Sequence, residues 1–420
     1  VVADAEGKEL VAVNPDGRFI PASNTKIVTT AAAYLALTAL DAPDAGGGAS
    51  VRIEGRNVVL TGRGDARLSS APDCKVDCLA QLADAIAAKT RRVRNITGDA
   101  TLMPDERWPQ GMSWNNIPTR SGTAIAALTL DDNELAISIA PGKPGKPPEL
   151  THLGYLSVDN RAVTVAAGKT DLAVDRLPFG DRIRLTGTIA ADAPAQVLRM
   201  GIDDPAHYAA WRLATLLRER KVKVKGRIES RYGAPAGTDV PQLAWLTPPP
   251  LADDIRTINK VSQNLHAELL LRRVSLASGT GSVADGIARV EQMFAAAGVP
   301  RTAWDFSDGS GMSTYNRISP RGMTKLLHWI GAQPWGAAWR DTLPVGGIDG
   351  TLARRFRGTM LEGKIFAKTG TINATNGLAG YLTAKSGRTL TFAAYANDVP
   401  GGGSATAQID AALVAIAEAN

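Results

Sequence analysis

Apolar positions change their period along the chain. Val1-Val2-Ala3 and Val11-Ala12-Val13 are short apolar runs with Glu6-Gly7 between them, and Asn14-Pro15-Asp16-Gly17 after the second is a strong turn signal. They predict two strands. From about Ser23 to Leu40 the apolar residues run almost all round a helical period, which predicts a buried helix. Between about 50 and 235 the period drops to two. Val51-Arg52-Ile53, Val58-Val59-Leu60, Leu135-Ala136-Ile137-Ser138-Ile139, Val163-Thr164-Val165 and Ile183-Arg184-Leu185 read as strands punctuated by Gly, Pro and Asp. Helices are expected near 78–89 and 205–220, and a loop at 141–148. Beyond 250 the helical period returns over 254–277, 282–297 and 320–330. Three strand-like runs follow at 364–368, 376–383 and 389–395, with Lys385-Ser386-Gly387-Arg388 as a hairpin turn, then a helix at 405–419. Two strands at the start and three at the end predict one antiparallel sheet drawn from both ends, with the middle inserted.

The chain has 420 residues, enough for two or three domains. Hydrophobic residues make up 44% and charged residues 21%, the profile of a globular protein. No apolar stretch approaches the roughly 20 residues of a membrane helix. No leader is visible, as expected of a mature or trimmed N-terminus. The net charge of +6 suits an anionic partner such as a cell-wall polymer. The one basic run, Lys221-Val222-Lys223-Val224-Lys225, reads as a strand with a solvated charged face. Nothing supports nucleic-acid binding. Cys74 and Cys78 lack zinc spacing; they read as a local disulfide or as two buried thiols. His152, His207, His266 and His328 are scattered, which argues against a metal site or a histidine triad.

Three short motifs carry the chemistry. In Pro21-Ala22-Ser23-Asn24-Thr25-Lys26 a serine heads a helix and a lysine follows one turn on, on the same face. A serine hydroxyl needs a base to become a nucleophile, and lysine serves only when its pKa is depressed. The helix N-terminus adds a positive field for an oxyanion. Alone, the pair reads equally as an N-cap and a solvated lysine. Lys260-Val261-Ser262-Gln263-Asn264 holds an S-x-N in an interhelical turn, where Ser262 could simply cap the next helix. Ala367-Lys368-Thr369-Gly370-Thr371 reads as a strand exit. Taken together and in this order, the three match the S-x-x-K, S-D-N and K-T-G signature of β-lactamases and penicillin-binding proteins, with Gln263 where the signature has Asp. Residues 358–364 mimic a P-loop but lead into a strand. Arg63-Gly64-Asp65 reads as a turn, and no G-x-S-x-G elbow is present.

Further segments carry a wider resemblance. They are Leu60-Thr61-Gly62-Arg63-Gly64-Asp65, Gly98-Asp99, the stretch 108–116, Asp131-Asp132-Asn133, Asp308-Gly309-Ser310-Gly311-Met312-Ser313, Tyr315-Asn316-Arg317-Ile318-Ser319-Pro320, Leu343-Pro344 and Gly346-Gly347-Ile348-Asp349-Gly350-Thr351. Over essentially its whole length the chain resembles the D-alanyl-D-alanine carboxypeptidase/endopeptidase family, the class C low-molecular-mass penicillin-binding proteins of the penicillin-binding protein 4 type. An initial helix usual in that family is not seen before Ser23.

The resemblance implies an α+β fold: a penicillin-binding, serine β-lactamase-like domain, with an antiparallel sheet flanked by helices and β-rich accessory domains inserted. The catalytic domain is expected over 1–43 and 240–420. One accessory domain is expected over 44–69 with 155–239, and another over 70–154. The implied activity is a serine DD-peptidase cutting D-alanyl-D-alanine termini or D-alanyl cross-links of peptidoglycan, outside the cytoplasmic membrane, and acylated by β-lactams.

Ser23 would be acylated, with Lys26 as base. Ser262 would relay a proton, and Asn264 would hold Lys26 and the substrate amide. Lys368 and Thr369 would bind the terminal carboxylate, and Lys368 would supply a second cation that keeps Lys26 neutral. Gly370 would let substrate lie close to the strand. The N–H groups of Ser23 and Thr371 would form the oxyanion hole. No cofactor, metal or nucleic acid is implied. The rivals are a β-lactamase or esterase, which generally lacks so long an insertion, and a non-catalytic cell-wall binder, which intact motifs disfavour. Trp114-Asn115-Asn116 is a candidate loop for substrate contact, or merely packs with Trp108.

Overall fold

A computed structural model describes residues 1–233 and 240–420. The chain divides into two units. One comprises 1–44, 109–112 and 249–420; the other comprises 45–108 and 113–248.

The first unit is built on a five-stranded antiparallel sheet. Its order is Ile365–Ile372, Thr375–Thr383, Thr389–Ala396, Val2–Ala3, Glu9–Val11, so both ends of the chain do meet in one sheet. Side-chain alternation gives the sheet two apolar faces. Ala379, Tyr381 and Ala393 join a core with Ile27, Val28 and Ala31 of the helix Thr25–Ala36, Leu270 and Val274 of Asn264–Leu276, and Phe294, Trp304 and Trp339. Leu378, Leu382, Leu390 and Phe392 point the other way, toward Leu352, Leu361 and Leu413 of the terminal helix Thr406–Ala419. The helix Thr25–Ala36 is apolar nearly all round because it lies inside the first core, as its sequence predicts.

The predicted helix over 254–277 is two helices. Leu251–Val261 ends where Ser262 turns left-handed at φ 64, and Asn264–Leu276 begins two residues later. A non-glycine residue in that region marks a sharp reversal rather than a continuing helix. Ser262 does not cap the second helix. The Gln263 side chain does so, accepting from Leu265 N at 3.2 Å. Nor is Lys368-Thr369-Gly370 a strand exit: the strand runs on to Ile372, and the reversal comes at Asn373.

In the second unit a mixed sheet runs Ile228–Arg231, Ile96–Asp99, Asn57–Thr61, Ser50–Glu54, Ala244–Trp245. The helix Pro205–Glu219 lies against it, so close that a Cβ on Gly98 would sit 2.0 Å from Ala206 O. A second core of Ile137, Ile139, Ile183, Leu185, Ile189 and Met200 gathers strands between 134 and 201. The expected partition at 70 and 154 is not the one these sheets follow. Leu79–Lys89 packs on Pro205–Glu219, while strands on either side of 154 share one core. Alternation reveals strands but not their pairing. The expected boundary at 239/240 abuts 234–239, which lie outside the described residues. Cys74 and Cys78 are disulfide-bonded, and Trp114–Asn116 is a 3-10 turn with Trp114 exposed.

Candidate active site

Ser23 sits in a tight turn, Ala22–Asn24, that opens the helix Thr25–Ala36. Ala22 carries φ 48, an uncommon conformation for a side chain with a Cβ. Its neighbours hold it there. Asn24 Nδ2 donates to Lys368 O at 2.7 Å, and Thr25 Oγ1 donates to Ala22 O at 2.9 Å. Gly311 passes so near that a Cβ would lie 1.9 Å from Ala22 O, which explains the glycine in Ser310-Gly311-Met312.

Lys26 follows one turn on, wholly buried. Its Nζ lies 2.9 Å from Ser23 Oγ, 2.7 Å from Asn264 Oδ1 and 2.6 Å from Ser310 O. A neutral amine has two N–H bonds and one lone pair. Asn264 Oδ1 and Ser310 O are acceptors that take the two N–H groups, which leaves the lone pair for the Ser23 O–H. Burial pushes Lys26 down from its ordinary range to about 7, against the raising pull of Asp308 and then Glu268. A displacement of that size corresponds to roughly 5 kcal/mol, several times what a helix end supplies.

The two carboxylates also build the floor. Glu268, one turn after Asn264, accepts from Gly309 N at 3.1 Å and Ser310 N at 2.9 Å, and is paired with buried Arg272 at 3.0 Å. Asp308 accepts from Gly311 N at 2.9 Å, Ser313 N at 2.7 Å and Asn316 Nδ2 at 2.5 Å. Burial, then Glu268, pushes the Asp308 carboxyl up to about 6. Together they fix the loop whose Ser310 carbonyl orients Lys26.

Strand alternation sorts the next motif. Lys368 and Gly370 face inward; Thr369 and Thr371 face a cavity of about 350 Å³ lined also by Ser23, Ser262, Thr351 and Arg355. Lys368 Nζ stands behind the cavity, donating to Ser262 Oγ at 2.9 Å. Burial, then the charge of Lys26, holds Lys368 well below its ordinary range. Like charges lower one another's pKa mutually, and Lys26 owes its low pKa first to burial, with Asp308 and then Glu268 pulling it back up. A Cβ on Gly370 would lie 2.4 Å from Pro21 O, so the glycine admits the turn before Ser23.

All eight expected site residues thus fall in one unit: Ser23, Lys26, Ser262, Asn264, Lys368, Thr369, Gly370 and Thr371. Seven of them are joined by hydrogen bonds or line the cavity at Ser23, and Gly370 packs under its turn. Glu268, Asp308, Ser310, Thr351 and Arg355 were not singled out individually from sequence, though Asp308, Ser310 and Thr351 lie in segments that carried the resemblance. Among the described residues no cluster of His, Cys, Asp and Glu is arranged to hold a metal ion.

The model of the D-Ala-D-Ala carboxypeptidase 3 (S13) family matches residues 1–420. A D-alanyl-D-alanine carboxypeptidase of Actinomadura sp. (strain R39) is 34% identical, the match covering 100% of this chain and 80% of that one. Among solved structures, penicillin binding protein 4 (dacB) of Haemophilus influenzae superposes with a TM-score of 0.79 at 21% identity, over 96% of this chain and 90% of that one. Its complex with a β-lactam superposes with a TM-score of 0.75 at 20% identity. A predatory endopeptidase of Bdellovibrio bacteriovorus, in complex with an immunity protein, matches with a TM-score of 0.56 at 16% identity, over 100% of this chain and 92% of that one.

Proposed function

The chain belongs to the D-Ala-D-Ala carboxypeptidase 3 (S13) family of serine-type peptidases, and on that premise we propose that it hydrolyses D-alanyl-D-alanine ends of peptidoglycan stem peptides through an acyl-enzyme on Ser23. Ser23 Oγ attacks the carbonyl carbon of the penultimate D-alanine while its proton passes to the Lys26 lone pair. Backbone N–H groups of Ser23 and Thr371 receive the developing oxyanion. The C–N bond then breaks. The departing amine takes the proton that Lys26 received, relayed through the Ser262 hydroxyl, and leaves as D-alanine, so Lys26 is neutral again. Water then attacks the resulting ester, giving a proton to Lys26, which returns it to Ser23 Oγ as the ester bond breaks. Thr369 and Thr371 hold the terminal carboxylate.

The observation that carries this reading is the environment of Lys26: three oxygens within 2.9 Å and a pKa near 7, which together describe a general base ready at neutral pH. D-alanyl cross-links present the same acyl group to Ser23, so cleavage of cross-links belongs to the same proposal, and the fold shared with a predatory endopeptidase supports it. β-Lactams acylate the same serine. The Cys74–Cys78 disulfide supports a location outside the reducing cytoplasm, and no helix among the described residues is long and apolar enough to cross a membrane.

A fluorescent penicillin tests the assignment. Label should map to the peptide containing Ser23, and Ser23→Ala should lose both label and D-alanine release while its thermal melt is kept. Normal labelling of the alanine variant would overturn it.

A further inference from the structure

Five of the six residues lining the Ser23 cavity offer hydroxyls: Ser23, Ser262, Thr351, Thr369 and Thr371. The sixth is Arg355. Its guanidinium is clamped by Asp410 of the terminal helix, Nε donating to Oδ2 at 3.0 Å and Nη2 to Oδ1. That bidentate grip takes one edge of the fork and leaves Nη1 without a protein partner among the described residues. The wall that carries Arg355 is fixed to the catalytic strand. Val345 bridges Phe366, Ala367 N donates to Pro344 O at 3.0 Å, and Thr369 Oγ1 meets Thr351 Oγ1 at 2.8 Å. Arg355 N in turn donates to Leu352 O at 2.9 Å.

We propose that Arg355 is a specificity-determining residue whose free guanidinium edge recognises the terminal carboxylate of the substrate, so that the enzyme favours free D-alanine ends over blocked or cross-linked ones. This rests on the DD-peptidase reading above. The chemistry is that of charge matching. A carboxylate entering a cavity of hydroxyls gains only neutral hydrogen bonds, whereas arginine keeps its charge at any pH at which proteins fold. Lys368 is a poor substitute. It lies behind Ser262 rather than on the cavity wall, and burial works against its charge. Asp410 holds the fork in place and also offsets part of its charge, so the two residues act in opposite directions on an incoming anion.

The test compares kcat/KM for a peptide ending in D-alanyl-D-alanine with that for the same peptide amidated at its C-terminus, using the full chain. Unaltered enzyme should prefer the free acid. Arg355→Ala should lower the acid-to-amide ratio by about 10- to 100-fold, mostly through KM, and Arg355→Lys should restore part of it. Asp410→Asn, which keeps the arginine and removes its counter-charge, should hold or raise the ratio. If Asp410→Asn lowers the ratio as much as Arg355→Ala, the effect is one of helix anchoring and the inference fails. It also fails if the ratio is unchanged in Arg355→Ala or is near one in unaltered enzyme. If unaltered enzyme cleaves neither peptide, the DD-peptidase reading falls, and the inference with it.

Discussion

Lys26 and Lys368 are both withdrawn from solvent and both touch a serine hydroxyl at 2.9 Å, yet their surroundings differ. Behind Lys26 stand two carboxylates, Asp308 and Glu268, whose pull partly offsets burial and leaves the lysine near 7. Among the described residues no carboxylate bonds to Lys368; burial and the charge of Lys26 both act to lower it. Burial alone makes a lysine neutral, but it does not make it a base matched to neutral pH. The matching comes from counter-charges placed one layer back, where they raise the pKa without occupying the lone pair.

The largest effect on that contrast should come from Lys26→Arg. Arginine keeps charge and hydrogen bonds but cannot accept a proton. Acylation by penicillin should fall by about 10²- to 10⁴-fold, close to the loss in Lys26→Ala. Stopped-flow labelling measures this. A variant that kept most of the rate would show that Lys26 acts only as a charge.

A pH profile sharpens the contrast. The base must be neutral, so acylation should rise with pH through an acid limb near 7 and level off above it. Glu268 raises the Lys26 pKa, so Glu268→Gln should move that limb to lower pH, by about one unit. Glutamine keeps an oxygen for the Gly309 and Ser310 N–H groups, which separates charge from geometry. It also takes a counter-charge from buried Arg272, and the melt should drop by about 3 to 5 kcal/mol in stability. An unmoved limb beside that loss would make Glu268 structural only.

The same layering explains what could be read in the sequence. Ser23 and Lys26 are one helical turn apart, so their meeting follows from periodicity. The three motifs in order then give the family, while the sheet drawn from both ends follows from the strand-like runs at the two ends of the chain. Glu268 and Ser310 meet across 42 positions, and nothing local announces it. The turn at Ser262 is legible from its motif, although the helical period runs on across it through Val261 and Leu265; that Ser262 is left-handed is not legible. Gln263, a departure from the signature, makes sense only as a cap for the second helix. The approach of Gly370 to Pro21 was not legible either, because alternation says which face a residue takes, not what lies against that face.

The smallest effect should fall on the other side of the comparison, at Thr351. Its hydroxyl meets that of Thr369 at 2.8 Å, on the cavity wall and away from both lysines. A threonine hydroxyl has one hydrogen and can accept two more. If Thr369 gives its hydrogen to a bound carboxylate, it is best supported by a donor at its own oxygen, and Thr351 is placed to be that donor. Such chained hydrogen bonds strengthen one another modestly. Thr351→Val keeps the shape and removes the donor. The loss should be about 0.5–1.5 kcal/mol, near the net worth of one neutral hydrogen bond, and appear as a rise of about 2- to 10-fold in KM for peptides with a free carboxylate. The acid limb should stay where it is, because no charge near Lys26 has changed. Steady-state kinetics across pH measure both at once. A limb that moved in Thr351→Val would show that the two sides of the site are coupled through more than the Ser23 cavity, and the separation drawn between the lysines would have to be abandoned.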